Sequence, residues 1–103
     1  MVQIVDRKGK PTLIPDADML AAALQQLPAG QVSDLGAVRR ELARDHGAEM
    51  CCPVTVQRLL VQFSETGDVP YWRVIDPDRP FAHRLTGGAE RVREKLAAEQ
   101  HAG

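Results

Sequence analysis

Two aromatic residues stand side by side in Pro70-Tyr71-Trp72-Arg73-Val74, the sole Tyr and the sole Trp of a chain whose aromatic content is 4%. Rings of this size stack on planar ligands, and a stacked nucleobase is worth about 1–3 kcal/mol. The same pair can instead serve packing, one ring in the core and one covering the surface. In a strand, neighbouring side chains face opposite ways, so one ring would be free to line a pocket. Cys51-Cys52-Pro53 is a second chemical candidate, because a thiol at a helix start can have a lowered pKa. No His or Lys adjoins it in sequence to complete an activated nucleophile, and a free Cys is usually a small buried residue. Adjacent cysteines do not build a disulfide framework. His46, His83 and His101 lack metal-ligand spacing, so neither a metal nor a cofactor is expected.

The elements that must position these groups follow from apolar periodicity and stop signals. Val2 to Val5 and Thr12 to Ile14 flank Asp6-Arg7-Lys8-Gly9-Lys10-Pro11, predicting a hairpin or extended arm over residues 1–14. Asp16 caps a first helix with Met19, Leu20, Ala23, Leu24 and Leu27 as its apolar stripe. Pro28-Ala29-Gly30 ends it. Ser33 or Asp34 caps a second helix with Leu35, Val38 and Leu42 inward, and Gly47 stops it. A third starts near Pro53 and buries Val56, Leu59, Leu60 and Phe63, leaving Thr55, Gln57, Arg58 and Gln62 on other faces. Strands are predicted at Tyr71 to Ile75 and Phe81 to Leu85, around a turn at Asp76-Pro77-Asp78-Arg79-Pro80. A last helix runs from about Gly88 to Gln100, and the tail His101-Ala102-Gly103 frays.

At 103 residues, 44% apolar and 26% charged, the chain is one ordinary globular domain with an aliphatic core. Its start lacks a basic region leading into an apolar run, and no stretch approaches a membrane span. A cytoplasmic protein with no membrane partner is expected. The net charge of −1 weighs against a strongly basic nucleic-acid binder without excluding a local basic face. Helix, helix, helix, strand, turn, strand, helix is the order of a winged helix-turn-helix, mostly α with a small β wing. Its three helices would span 15–64, the wing and pocket strand 70–86, and the closing helix 87–100. The third helix would then be the one offered to a groove of DNA.

Four segments between about Ile14 and Gln100 resemble the DNA-binding domain of the alkylguanine-DNA alkyltransferases, and more closely their non-catalytic alkyltransferase-like relatives. Leu27-Pro28-Ala29-Gly30-Gln31-Val32 resembles the Ile/Val-Pro-x-Gly-x-Val run that leads into the family's helix-turn-helix. Pro70-Tyr71-Trp72-Arg73-Val74 resembles the Pro-Cys-His-Arg-Val active-site motif. Leu85-Thr86-Gly87-Gly88 resembles the Ser-Gly-Gly loop, and Leu96-Ala97-Ala98-Glu99 the closing helix with its buried Glu. In the catalytic family a Cys accepts the alkyl group, a His activates it through water and a Glu supports the His. Here Tyr71 and Trp72 stand at the first two positions, and a neutral phenol is a poor nucleophile near pH 7. Glu99, left without a His, reads as a helix-end carboxylate paired with an Arg or with backbone.

The resemblance therefore implies a non-enzymatic protein that binds double-stranded DNA and recognises alkylated guanine without repairing it, with no catalytic residue. It implies DNA contacts from Gln57, Arg58, Thr55 and Arg73, with Arg58 or Gln57 filling the space of a flipped nucleotide. Tyr71, Trp72, Thr86 and Gly87 would form the base pocket. The family's Tyr at the start of the helix-turn-helix is replaced by Leu35, and its Asn linking recognition helix to active-site strand has no counterpart. From Val56 to Lys95, seven basic and six acidic residues nearly balance, so binding should be modest and salt-sensitive. Two rival readings are a winged-helix regulator or protein-interaction module that has lost lesion recognition, and a thiol enzyme using Cys51 or Cys52.

Overall fold

The loop at Lys8-Gly9 decides the first element: φ is 54° at Lys8 and 77° at Gly9, the left-handed pair that a two-residue hairpin turn needs. The computed structural model describes residues 3–102, so Met1, Val2 and Gly103 of the predicted arm and tail lie outside it. Strands β1 (Gln3–Arg7) and β2 (Lys10–Ile14) pair antiparallel, with Gln3 opposite Ile14 and Arg7 opposite Lys10. A two-residue strand, β3 (Met50–Cys51), joins β2 in parallel, with Leu13 opposite Cys51. The sheet order is β1-β2-β3. Central β2 is covered on both faces, since neighbours Thr12 and Leu13 are both buried.

The helices form where apolar spacing and caps agree. In α1 (Ala17–Gln25) the Asp16 carboxylate accepts the Met19 N–H at 2.8 Å, and Leu20 and Leu24 face the core. In α2 (Leu35–Asp45) Asp34 accepts from the Gly36 N–H at 2.9 Å, with Val38, Leu42 and Ala43 inward. α3 (Pro53–Thr66) has Pro in its first turn and ends at Gly67, whose φ of 75° is left-handed; Val56, Leu60, Phe63 and Ser64 are buried. α4 (Gly88–Ala102) buries Ala89, Val92 and Leu96. Among the described residues the result is an α+β fold of four α-helices and a three-stranded sheet.

The predicted wing is the main correction. Both of its strands are 3-10 turns, Tyr71–Val74 and Pro80–Arg84. Aromatic and β-branched residues favour strands, but Pro70, Pro77 and Pro80 have no N–H to give a ladder. The remaining donors close locally: Arg73 N–H to Pro70 O, Ile75 N–H to Trp72 O, Ala82 N–H to Arg79 O and Leu85 N–H to Ala82 O. The chain's strands lie instead in the N-terminal hairpin and in β3, between α2 and α3, where only a connection was expected.

One junction ties the layers together. The Arg73 guanidinium bonds the Glu99 carboxylate, Nη2 to Oε2 at 2.7 Å and Nε to Oε2 at 3.1 Å. Its Nη1 lies 3.4 Å from the carbonyls of Leu24 and Gln25 at the end of α1. Glu99 Oε1 also accepts the Gly30 N–H at 2.9 Å, and Gln100 Nε2 donates to Gly30 O at 2.7 Å. Gly30 has φ 81°, and a Cβ there would sit 3.0 Å from Gln100 Cγ. Glycine fits both the backbone and the close approach. The expected partner of Glu99, Arg or backbone, is thus both at once.

Both side chains of the ion pair are 15% exposed, and removing one partner strands the other charge. Arg73→Ala should lower the unfolding free energy by about 3 kcal/mol, read by chemical denaturation. Burial pushes the Glu99 carboxyl up, but hydrogen bonds from Arg73 and Gly30 and the Arg73 charge hold it below its usual 4.5. A carboxyl lowered by folding contributes stability above its unfolded pKa and loses it as pH falls through the folded value. Glu99→Gln should therefore show a shallower loss of stability than the native chain below about pH 4.5; equal slopes would contradict this role.

Candidate nucleic-acid interface

An amphipathic helix that buries Val56, Leu60 and Phe63 must turn its other side outward. On that side of α3, Val54 is 57% exposed, and Arg58, Gln62 and Glu65 are exposed beside half-buried Gln57. Arg58, Gln57 and Gln62 make no hydrogen bond or ion pair among the described residues, so their donors are free for a ligand. Two clefts flank this face. One, about 510 Å³, is floored by Leu35, Val74 and Phe81 and edged by Asp34, Gln57 and Arg79. The other, about 430 Å³, runs past Val54, Gln57, Arg58, Val61 and Gln62 to Arg84. Gln57 lines both.

Ser33 N–H donates to Arg73 O at 2.6 Å, so the approach to α2 is fastened to the first turn. Buried Ser64 fastens α3 to the start of α4: its Oγ donates to Val61 O at 2.6 Å and accepts the Thr86 N–H at 3.0 Å. Gly87 follows with φ 84°, and a Cβ there would lie 2.7 Å from Arg91 Cβ.

The residues expected to hold a base are not brought together around either cleft. A 3-10 turn places residues i and i+3 on one side, so Tyr71 and Val74 are buried while Trp72 and Arg73 are half-buried. Tyr71 is 1% exposed and belongs to the core. Trp72 packs edge-on against it, centroids 5.3 Å apart at 79°, with Lys95 Nζ 5.4 Å from the indole. Thr86 and Gly87 are exposed in the turn that starts α4. None of Tyr71, Trp72, Thr86 and Gly87, the base pocket that the resemblance implies, lines either cleft, and the free ring expected from strand alternation is absent because the segment is a 3-10 turn. The first cleft instead uses Leu35, Val74 and Phe81, whose order in sequence carried no signal of their meeting.

Of the expected DNA contacts, Gln57 and Arg58 stand on the outer face. Arg73 does not, because its guanidinium is turned into the Glu99 junction. Thr55 is half-buried, and its hydroxyl donates to Cys52 Sγ at 3.3 Å.

The chemistry of the thiols and phenol is also set by burial. Burial pushes the Tyr71 phenol up, with only partial relief from Arg91, so it is neutral at pH 7. It raises Cys51 to about 11 despite nearby Arg39. Cys52 differs. Burial pushes it up too, but the Thr55 hydroxyl, the N–H groups of Thr55 and Val54 and the Arg7 guanidinium hold it below its usual value. Arg7 Nη1 lies 3.6 Å from Cys52 Sγ, delivered by the hairpin from 45 positions away, a neighbour that local sequence could not reveal. Both thiols are buried. Among the described residues no cluster of His, Cys, Asp and Glu could hold a metal ion, and no helix is long and apolar enough to cross a membrane.

Two measurements check these assignments. The Tyr71 hydroxyl and Trp72 Nε1 are buried without a hydrogen-bond partner, and an unmet buried hydroxyl is destabilising. Tyr71→Phe should raise stability by about 1 kcal/mol in urea denaturation; a loss of that size would mean the hydroxyl is bonded. Mass spectrometry after brief iodoacetamide treatment should find the first adduct on Cys52, retained in Cys51→Ser and lost in Cys52→Ser. Adducts appearing first on Cys51 would reverse the order of acidity.

Comparison with protein-family models, curated proteins and solved structures finds no match to this chain, so its function is argued from the site itself.

Proposed function

We propose that the chain is a non-enzymatic DNA-binding protein of the alkyltransferase-like kind, with α2 and α3 as its helix-turn-helix pair. The observation that carries this is the outer face of α3, where Gln57 and Arg58 stand uncommitted between two clefts. A helix that reads a DNA groove needs such a row of free donors. Arg58 probes the duplex, with Gln57 beside it.

A modified base displaced there enters the cleft of Leu35, Val74 and Phe81 rather than the site of Tyr71 and Trp72. Its volume falls within the ~300–1,000 Å³ range of ligand clefts. Phe81 offers a ring, and the Gln57 amide offers both donor and acceptor to a base edge. Repair chemistry is disfavoured by a neutral, buried phenol at the nucleophile position and by the engagement of Glu99 with Arg73. The burial of Tyr71 and the packing of half-buried Trp72 against it also favour a second reading, a winged-helix regulator or interaction module that keeps DNA or protein binding without lesion preference.

Fluorescence anisotropy on an alkylguanine duplex and its unmodified match separates the two. Arg58→Ala should weaken binding to the alkylated duplex by about tenfold; unchanged affinity at two salt concentrations would remove Arg58 from this role. Leu35→Trp, which fills the cleft, should abolish the preference for the alkylated duplex and leave unmodified DNA bound as before. A native chain that binds both duplexes equally supports the second reading.

A further inference from the structure

The second 3-10 turn, Pro80–Arg84, ends on a side chain with no assigned task. Arg84 is exposed, and its guanidinium carbon lies 5.3 Å from the centroid of the Phe81 ring. It makes no ion pair or hydrogen bond among the described residues. Resting on an aromatic face limits its freedom without using any of its five N–H donors. It lines the 430 Å³ groove together with Arg58 of α3, so two unneutralised guanidiniums from separate elements border one trough. Glu65 is the acid of that lining. The trough thus carries a net positive charge in a chain whose net charge is −1.

Its remaining walls narrow the class of partner. Val54 and Val61 present methyl groups, and Gln57 and Gln62 present unpaired amides. A sugar–phosphate strand matches all three features: phosphates suit the guanidiniums, sugar faces suit the methyls, and base edges suit the amides. An acidic peptide would satisfy the arginines but offers less to two unpaired amides beside apolar walls.

We propose that this groove holds one strand of a nucleic acid, with Arg84 and Arg58 gripping its backbone from two sides. The proposal rests on α3 facing DNA and adds a second contacting element, the turn at Pro80–Arg84. Arg84 positions the duplex and carries no sequence information, so its removal weakens binding alike on every sequence.

The test is a salt titration of the full chain with a labelled unmodified duplex, from ~50 to ~200 mM monovalent salt, each phosphate contact adding ~0.9 to the log–log slope. Arg84→Ala should lower the slope by ~1 and the affinity by about fivefold on two unrelated sequences. Arg84→Lys should keep most of the slope, and Glu65→Gln should tighten binding. Arg84 is exposed, so thermal melting at the native midpoint will show the variant folded. Native binding with an unchanged slope in Arg84→Ala overturns the groove and leaves the role of α3 standing. Absence of duplex binding by the native chain overturns both. A poly-glutamate peptide that binds as tightly as the duplex, and is lost with Arg84, overturns the nucleic-acid assignment in favour of an acidic protein partner.

Discussion

Arg73 and Glu99 meet at 2.7 Å where the end of α1, the loop at Gly30, the first 3-10 turn and α4 converge. Each group satisfies more than its partner: the guanidinium also reaches two helix-end carbonyls, and the carboxylate also takes a backbone N–H. A buried ion pair is net stabilising only when its remaining donors and acceptors are matched in this way. Lengthening or shifting any one of the four segments would leave a charge or a carbonyl unmet. The constraint therefore acts on register as well as on stability.

That register sets the candidate interface. The first turn follows Pro70 and is pinned through Arg73, so Tyr71 and Val74 point into the core and Ser33 is drawn to the Arg73 carbonyl. The segment leading to α2 then stands apart from Phe81, leaving the cleft beside Gln57. The Phe81 ring that lines this cleft also carries the Arg84 guanidinium, which lines the neighbouring groove with Arg58. The Pro70–Val74 stretch thus works here as a strut: Tyr71 is buried in the core, Trp72 packs edge-on against it and Arg73 is bonded to Glu99, while the uncommitted donors stand on the outer face of α3.

Sequence periodicity was informative wherever a cap and an apolar stripe agreed. Asp16, Asp34, Pro53 and Gly67 each mark a helix boundary by local physics, and the buried faces of α1 to α3 follow the i, i+3, i+4 spacing. Tyr71 to Ile75 was misread because side-chain propensity speaks for a strand while proline placement and local N–H closure decide for a turn. β3 is only two residues long and exists because β2 lies beside it, which no local signal conveys. The Gly30–Glu99 and Arg7–Cys52 contacts join residues 69 and 45 positions apart; such pairs are a product of topology. For the site, Arg58 and Gln57 were legible as outward residues of an amphipathic helix. The cleft was not, because it depends on where two proline-rich turns come to rest.

Most direct is an equilibrium titration of the native chain at low salt against an alkylguanine duplex, its unmodified match and the corresponding single strand. Recognition through α3 and the adjoining cleft predicts measurable duplex binding, tightest for the alkylated duplex and weakest for the single strand. Failure to bind either duplex at low salt would contradict it.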